Sequence, residues 1–227
     1  MSDQRDFRFY GRRKGHELKP GRQHLYTEML PLLRLPEAIP KDLRALFPRP
    51  TREIWLEIGF GAGEHLAHQA GAHPDIGFIG CEPFVNGVAA LLAAVTAENF
   101  DHIRIFDDDA RMLLPRLPEA SIARVFLLFP DPWPKTRHHK RRLVAPDTLD
   151  QLARIMAPDA ELRFATDDPG YLRWTLARLT SHPAFRWTAE GPADWHNRWA
   201  DAIPTRYEVK RLAGHRPAYL TFRRVPG

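Results

Sequence analysis

From Glu53 onward, short apolar segments alternate with segments of helical composition, and this alternation constrains the fold more than any other feature. Apolar runs of strand length that end at turn residues indicate buried strands. Strands that alternate with helices form βαβ units, so we predict an α/β fold with a mostly parallel sheet and helices on both faces. The predicted strands are Ile54–Ile58, Gly77–Cys81, Ile103–Phe106, Arg124–Phe129, Glu161–Ala165, Phe185–Thr188, Thr205–Leu212 and Ala218–Arg223.

The two ends of the chain differ from this repeating pattern. The last two predicted strands flank a turn that contains Gly214, which predicts an antiparallel C-terminal pair. Residues 1–24 are basic and lack periodicity, so we expect an arm there and a single domain over residues 25–227. The predicted helices are one or two short ones within residues 25–46, then Glu64–Ala72, Val85–Glu98, Ala110–Leu114, Pro146–Met156 and Tyr171–Thr180.

The distribution of charge predicts a polyanionic partner. The formal net charge is +5, and the excess of Lys and Arg is concentrated in residues 1–24, 135–142 and 205–224. Separate basic segments around a nearly neutral core are typical of a surface that binds a phosphate backbone.

Other features of the sequence exclude several classes of protein. Cys81 is the only cysteine, which excludes an intramolecular disulfide and fits a reducing, cytoplasmic compartment. The longest wholly apolar run, Val88–Val95, is too short to cross a bilayer, and the histidines lack metal-ligand spacing. We therefore expect a soluble protein with no membrane association and no metal.

A glycine-rich segment follows the first predicted strand and predicts a ligand site. It reads Glu57-Ile58-Gly59-Phe60-Gly61-Ala62-Gly63, and glycines allow a tight turn and a close approach of the backbone to a ligand. A dinucleotide site has Gly or Ala where this chain has Glu64, which disfavours a nicotinamide-dependent oxidoreductase. S-adenosylmethionine has no phosphate and is cationic, so the pattern favours this cofactor, with Glu57 facing its positive end.

Acidic residues follow the second and third predicted strands. Ligands of open α/β sheets bind at the carboxyl ends of the strands, where these residues lie. Glu82 is placed to accept hydrogen bonds from ribose hydroxyls, and it would repel the 2′-phosphate of NADP. Within Asp107–Asp109, we predict that Asp109 binds the exocyclic amine of adenine.

The fourth predicted strand ends in a segment that combines a rigid acid, an aromatic ring and a basic run. Pro130 and Pro132 restrict the backbone on both sides of Asp131. Trp133 offers a face on which a nucleobase stacks, and cations suited to phosphates follow it. The cations are Lys135, Arg137, Lys140, Arg141 and Arg142.

Three motifs together resemble the bacterial tRNA (guanine-N7-)-methyltransferase family. They are LEIGFGAGEHL, FPDPWPKTRHHKRRL and TRYE, and the likeness extends over about residues 50–224. The resemblance implies a Rossmann-like class I methyltransferase domain with a seven-stranded sheet, S-adenosylmethionine as methyl donor, and a guanosine in the variable loop of tRNA as substrate. We expect the enzyme to be monomeric.

The resemblance also implies roles for individual residues. Glu57, Glu82, Asp109 and Asp131 would line the cofactor and catalytic site. Lys135, Asp167, Thr205, Arg206, Tyr207 and Glu208 would contact the substrate, and Arg137–Arg142 would be an RNA-binding stretch.

The chemistry of the purine supports a role for Asp131 independently. Guanine N7 has a lone pair and no proton, so methyl transfer is an in-line displacement that needs positioning rather than a general base. Positive charge passes to the purine, and a carboxylate stabilises it. Asp131 acts in this way or by accepting hydrogen bonds from N1–H and the exocyclic amine.

Two further alternatives remain at this point. Methyltransferases that modify exocyclic amino groups carry a D-P-P-aromatic motif, whereas this chain has Trp133 at the third position. A non-catalytic RNA-binding module would not need the acids that follow three successive strands.

Overall fold

The computed structural model describes residues 10–210 and 215–226. It contains one seven-stranded sheet with the strand order β3-β2-β1-β4-β5-β7-β6. β7 pairs antiparallel with both β5 and β6, and the other pairings are parallel. The strands are β1 (Glu53–Ile58), β2 (Ile76–Cys81), β3 (Ile103–Phe106), β4 (Ile122–Leu128), β5 (Met156–Thr166), β6 (Phe185–Trp187) and β7 (Ala218–Arg224).

Helices cover both faces of the sheet, as predicted. The α-helices are α1 (Pro20–Glu28), α2 (Leu30–Leu33), α3 (Glu64–Ala72), α4 (Val85–Glu98), α5 (Ala110–Leu113), α6 (Pro146–Ile155), α7 (Pro169–Ser181), α8 (Ala193–His196) and α9 (Arg206–Lys210). Short 3-10 helices lie at Leu43–Leu46, Leu114–Arg116 and Thr136–Arg141. No helix within the described ranges has the length and apolar character needed to cross a membrane.

The core consists of two apolar layers separated by the sheet. Leu56 of β1 packs in the layer formed with α6 and α7, whereas its neighbour Trp55 packs in the layer formed with α3 and α4. All six residues of β2 are buried, as expected for a parallel strand covered on both faces. The wholly apolar strands in the sequence reflect this double burial.

The order of the strands places a crevice at the carboxyl ends of β1 and β4. β1 lies between β2 and β4. From β1 to β3 the chain adds strands on one side of β1, and from β4 onward it adds them on the other side, so the direction of strand addition reverses between β1 and β4. Ligands of doubly wound sheets bind outside the carboxyl ends of the strands at such a reversal. The glycine-rich segment follows β1, and residues 129–134, here called the Asp131 segment, follow β4, so both border this crevice.

One predicted strand is wrong. Residues Arg206–Lys210 form α9 instead of part of a strand at Thr205–Leu212. The physical reason is a capping box: the Thr205 N–H donates to Oε2 of Glu208 at 2.8 Å, and the Glu208 N–H donates to Oγ1 of Thr205 at 3.3 Å. The antiparallel C-terminal pair is therefore β6 with β7, and the turn at Gly214 lies outside the described residues.

The N-terminal segment packs on the domain beside α4. The N–H of Val85 donates to the carbonyl of Arg13 at 2.9 Å, and Asn86 bonds both the N–H of Gly15 and the carbonyl of His16. The predicted boundary between arm and domain, at residue 24, lies within α1. Residues 10–16 thus extend along the carboxyl edge of the sheet.

Candidate active site

A pocket of about 290 Å³ lies at the carboxyl ends of β1, β2 and β4. Its size is near the lower end of the range of about 300–1,000 Å³ that is typical of small-molecule sites. Its polar groups are concentrated at the strand ends. The lining includes Gly59, Glu82, Asp109, Asp131 and Arg141 among the predicted site residues, and also Tyr10, Arg12, Cys81, Arg111 and Trp133.

The glycine-rich loop has a backbone that requires glycine. Gly59, Gly61 and Gly63 have φ angles of 75°, 57° and 82°, in the left-handed region. A Cβ on Gly59 or Gly61 would meet no protein atom within 4 Å, whereas one on Gly63 would lie 2.7 Å from Leu91. The first two glycines therefore face open space, and the third allows α3 and α4 to pack closely.

Glu82 joins the end of β2 to the glycine-rich loop. Its Oε2 accepts the Gly61 N–H at 2.8 Å, and its Oε1 accepts the Phe84 N–H at 2.9 Å. Burial raises the pKa of its carboxyl, although these two hydrogen bonds oppose the rise. Each carboxylate oxygen can accept a further hydrogen bond, so Glu82 can hold the loop and a ligand hydroxyl together.

Three successive aspartates after β3 bind three different arginines. Asp107 pairs with Arg34 in a bidentate contact with both distances at 2.8 Å, and Asp108 pairs with Arg13. Asp109 caps α5 and pairs with Arg111. Only Asp109 lines the pocket. The structure therefore places Asp109, the predicted adenine-binding acid, at the pocket, whereas Asp107 and Asp108 form ion pairs outside its lining.

Glu57 is buried away from the pocket lining. Its Oε2 lies 2.7 Å from Nδ1 of His65 on α3, and both side chains are almost inaccessible. Gln69, one turn further along α3, donates to the carbonyl of Asp201 at 2.6 Å. The structure thus places Glu57 under the glycine-rich loop, not facing the open space above it.

The backbone around Asp131 is strained. Phe129 and Trp133 have φ angles of 50° and 42°, which are unusual for bulky residues. Such conformations cost about 1–3 kcal/mol each and persist where the surrounding structure enforces them. Here the Phe129 N–H donates to the carbonyl of Ala165 on β5 at 2.8 Å.

The carboxylate of Asp131 is available to a ligand. Asp131 is exposed at the edge of the pocket, and no described residue hydrogen-bonds or pairs with its carboxylate. Partial desolvation by the pocket wall raises its pKa. The structure therefore brings Asp131 together with Glu82 and Asp109, as predicted.

An arginine connects Trp133 to the N-terminal segment. The guanidinium of Arg141 lies 4.9 Å from the ring centroid of Trp133 and 4.4 Å from that of Tyr10. All three residues line the pocket. This stack covers one side of the pocket, and the Trp133 ring packs at an interplanar angle of 88° to that of His138.

The basic run after β4 divides into exposed and buried cations. Lys135, Arg137 and Lys140 are exposed on or beside the 3-10 helix, as a phosphate-binding surface requires. Arg142 is only 4% exposed, and its Nε–H donates to the carbonyl of Pro132 at 2.7 Å. The structure therefore places Arg142 against the protein backbone, apart from the exposed cations of the run.

The predicted substrate residues of β5 and α9 also separate into two groups. The hydroxyl of Tyr207 donates to Oδ1 of Asp167 at 3.3 Å, and its ring lies 5.4 Å from that of Phe129. Burial and the charge of Asp167 raise the pKa of Tyr207 to about 12. These contacts place Tyr207 and Asp167 next to the strained segment after β4.

Glu208 and Arg206 form ion pairs within the protein. Burial opposes ionisation of Glu208, but hydrogen bonds from the Tyr219 hydroxyl, the Thr205 N–H and Arg198 lower its pKa overall. Arg206 is exposed and pairs with Glu64 at 3.2 Å. Donors from Arg198, Thr205 and Tyr219 therefore occupy the carboxylate of Glu208.

A second pocket lies beyond the basic run and lacks the strand-end acids. Its volume is about 420 Å³, and its lining mixes Lys140 and Arg142 with Asp147 and Asp150. No group of three or more His, Cys, Asp or Glu side chains in the described ranges is arranged to hold a metal ion.

Sequence reasoning missed several lining residues. Tyr10 and Arg12 belong to the basic arm, whose composition gives no sign that it reaches the pocket. Gly87 on α4 was also missed, although a Cβ there would lie 2.1 Å from the carbonyl oxygen of Gly61. A glycine in the first turn of an otherwise Ala-rich helix is the signal that could have identified it.

Comparison with known proteins identifies a family both by a family model and by individual relatives. Residues 51–221 match the protein family described as "putative methyltransferase". The chain is 55% identical to the tRNA (guanine-N(7)-)-methyltransferase of Rhodospirillum rubrum, over 97% of this chain and 89% of that protein. It is 51% identical to the enzyme of the same name from Ruegeria pomeroyi, over 96% of this chain and 95% of that protein.

Solved structures share the fold at low sequence identity. A 16S rRNA methyltransferase, KamB, aligns with a TM-score of 0.54 and 15% identity, covering 78% of this chain and 89% of its own. An antibiotic-related methyltransferase aligns with a TM-score of 0.54 and 17% identity, covering 83% of this chain and 95% of its own. These likenesses establish the class I methyltransferase architecture.

Proposed function

Because this chain belongs to the tRNA (guanine-N(7)-)-methyltransferase family, we propose that it transfers a methyl group from S-adenosylmethionine to N7 of a guanosine in the variable loop of tRNA. The observation that carries the proposal is the position of Asp131, exposed at the edge of a pocket that also contains Glu82 and Asp109. A pocket with three carboxylates suits a cationic cofactor and a reaction that leaves positive charge on a purine.

The lining of the pocket fits S-adenosylmethionine. Gly59 and Gly61 present bare backbone to open space, which allows close approach of the methionine part of the cofactor. Glu82 would accept hydrogen bonds from the ribose hydroxyls, and Asp109 would accept one from the adenine amine. When bound, the cofactor supplies an electrophilic methyl group on a sulfonium.

Positioning and electrostatics would account for the catalysis. Guanine N7 attacks with its own lone pair, so no protein base is needed at that atom. Asp131 would stabilise the positive charge that develops on the purine, and its fixed backbone means that little reorganisation accompanies the reaction. Trp133 lies two residues away and would limit the orientation of the base.

The exposed cations would bind the phosphates of tRNA. Lys135, Arg137 and Lys140 lie beside the pocket on the 3-10 helix and its N-cap. Asp167 and Tyr207 lie next to the Asp131 segment and would contact the edge of the guanine. Base contacts and phosphate contacts would thus be made by adjacent parts of the same surface.

The basic arm would close one side of the pocket. Tyr10 and Arg12 line it, and Arg13 is paired with Asp108 at the end of β3. We retain residues 1–24 as the arm and residues 25–227 as the methyltransferase domain. A cytoplasmic location and a monomeric state accompany this proposal as predictions.

The test is the identity of the methylated nucleoside. Purified protein is incubated with an unmodified tRNA transcript and S-adenosylmethionine that carries a labelled methyl group, and the RNA is digested. We expect the label in 7-methylguanosine. A transcript with 7-deazaguanosine in place of the variable-loop guanosine lacks the accepting nitrogen and should receive no label.

Other outcomes identify the alternatives. Label on an exocyclic amine would contradict the N7 assignment and favour an amino-group methyltransferase. Binding of S-adenosylmethionine and tRNA without any transfer would indicate a non-catalytic module.

A further inference from the structure

Arg142 is a buried cation without a carboxylate partner among the described residues. It is 4% exposed, and its Nε–H donates to the backbone carbonyl of Pro132 at 2.7 Å. Burial lowers the pKa of its guanidinium, although the pKa of arginine is high enough for the group to stay charged. Burial of a charged group costs free energy, and one hydrogen bond to a backbone carbonyl does not offset that cost. Other contacts must therefore stabilise the guanidinium.

Two aromatic rings of α7 supply that compensation. The guanidinium lies 5.0 Å from the ring centroid of Tyr171 and 4.8 Å from that of Trp174. Cation–π contacts of this kind strengthen when they are shielded from water. Both rings are fixed in turn, because the Trp174 indole N–H donates to the Val144 carbonyl at 2.6 Å and the Val144 N–H donates to the Tyr171 hydroxyl at 3.3 Å.

The carbonyl that Arg142 binds lies between Asp131 and Trp133. Trp133 has a left-handed backbone with a φ of 42°, and such a conformation persists only where contacts enforce it. Phe129, at the other end of the segment, is held by the hydrogen bond to Ala165 of β5. At the Trp133 end, the hydrogen bond from Arg142 to the Pro132 carbonyl fixes the segment in the same way.

Arg142 also connects the ends of two strands. The Asp131 segment follows β4, whereas α7 begins immediately after Asp167 and Asp168 at the end of β5. The rings on α7 and the carbonyl of Pro132 meet at one guanidinium. Arg142 therefore joins the segment that contains Asp131 to the helix that follows Asp167.

We propose that Arg142 is a positioning residue for the methyl transfer. Its hydrogen bond to Pro132 holds the Asp131 segment so that Asp131 and Trp133 face the pocket. The proposal rests on the proposed function and deepens it. A phosphate contact, which the basic sequence around Arg142 predicts, is incompatible with the burial of its guanidinium. Arg142 acts through Asp131 and does not touch the substrate.

The first test compares Arg142→Met with Arg142→Lys and with Arg178→Met as the matched control. Arg178 stacks on the same Trp174 ring, at 3.1 Å from its centroid, but among the described residues no hydrogen bond or ring contact joins it to the Asp131 segment. At saturating S-adenosylmethionine and tRNA, we expect kcat of Arg142→Met to fall by about 10- to 100-fold, as for small displacements of reacting groups. Arg142→Lys keeps a donor without the planar group and should be intermediate, and Arg178→Met should match the wild type.

Binding measurements separate positioning from phosphate contact. In the Arg142 variants, the Kd for S-adenosylmethionine should stay within a few-fold of the wild-type value, and the salt dependence of tRNA binding should be unchanged. A normal kcat in Arg142→Met would overturn the proposal. A weaker, less salt-dependent interaction with tRNA at normal kcat would also overturn it, because Arg142 would then be a phosphate ligand.

The second test does not require activity. Backbone ¹⁵N relaxation at Asp131 and Trp133 should give lower order parameters in Arg142→Met and unchanged ones in Arg178→Met, since a segment that loses a fixing contact gains fast motion. If Arg142→Met does not fold, the same measurements on Arg142→Lys decide the matter. If wild-type protein methylates no tRNA, the proposed function fails, whereas unchanged order parameters at the two amides would contradict the role of Arg142.

Discussion

The backbone of Gly87 lies against the carbonyl oxygen of Gly61, so that a Cβ on Gly87 would be 2.1 Å from that oxygen. The first turn of α4 therefore supports the glycine-rich loop from below. The same loop donates the Gly61 N–H to Glu82. The conformation of the loop is thus set by contacts on both its carbonyl and its amide side.

Gly87→Ala should displace the loop and weaken binding of S-adenosylmethionine. Alanine favours the helix by about 1 kcal/mol relative to glycine, but the clash with Gly61 must be relieved by moving the loop. We expect the Kd, measured by calorimetric titration, to rise at least about tenfold, or about 1.4 kcal/mol. The control is Gly71→Ala on α3, where a Cβ would lie 3.5 Å from Phe100, and equal affinity of both variants would contradict the prediction.

Asp131→Asn should impair the chemical step and leave binding largely intact. The amide retains the shape of the side chain but not the charge that stabilises the methylated purine. Loss of one preorganised electrostatic group typically lowers kcat by about 10²- to 10³-fold. Single-turnover methyl transfer measures this loss, and affinities for cofactor and tRNA should stay within a few-fold. Wild-type kcat in this variant would remove Asp131 from the mechanism.

The pH dependence of the reaction should report the ionisation of Asp131. Desolvation raises the pKa of its carboxyl, and the ionised form is the active one. Activity is then complete above this pKa and is lost as the pH falls through it, so the loss occurs above the ordinary aspartate pKa of about 3.9. The profile of kcat/KM reports the free enzyme. The residual activity of Asp131→Asn should not show this loss at acidic pH.

Arg137→Gln should reduce the salt dependence of tRNA binding. Each phosphate contact contributes about 0.7–0.9 to the slope of log K against log salt concentration, so the slope should become shallower by about that amount. The control is Arg52→Gln, which removes an exposed charge at the amino edge of the sheet, where Arg52 pairs with Asp75. An identical slope for the two variants would show that Arg137 contacts no phosphate.

Glu208→Gln should destabilise the fold without removing a substrate contact. Charge-assisted hydrogen bonds to one buried carboxylate contribute about 1.5–3 kcal/mol each when a partner is lost. Since the folded state lowers the pKa of Glu208, its contribution is present above the unfolded pKa and disappears as the pH falls through the folded value. Thermal unfolding at neutral pH should show a lower Tm than for Glu119→Gln, an exposed control, and the difference should shrink in acid.

The periodicity of the sequence predicted most of the fold because parallel strands are apolar throughout. α3 and α4 were predicted with the bounds that the structure gives them. The segment Thr205–Leu212 was predicted as a strand because it precedes the turn at Gly214, whereas Thr205 and Glu208 form a capping box that begins a helix. That four-residue signature is visible in the sequence and could have identified the helix.

The site was predicted in part because strand ends converge by topology. Glu82, Asp109 and Asp131 meet for this reason. The burial of Arg142 could not be predicted, because neighbouring cations in a basic run look alike until the rings of α7 are placed beside one of them. The contact of Tyr10 with Arg141 likewise depends on tertiary packing between distant segments.

The position of β7 has a consequence for the order of folding. β7 follows β6 in the chain but lies between β5 and β6, and β6 has no other neighbour in the sheet. During synthesis, the first five strands can pair while the chain is still emerging, but β6 must wait for residues 218–224. The half of the sheet next to Asp167 and Tyr207 therefore acquires its native form last, so the enzyme can assemble its cofactor pocket before it completes the surface proposed to bind tRNA.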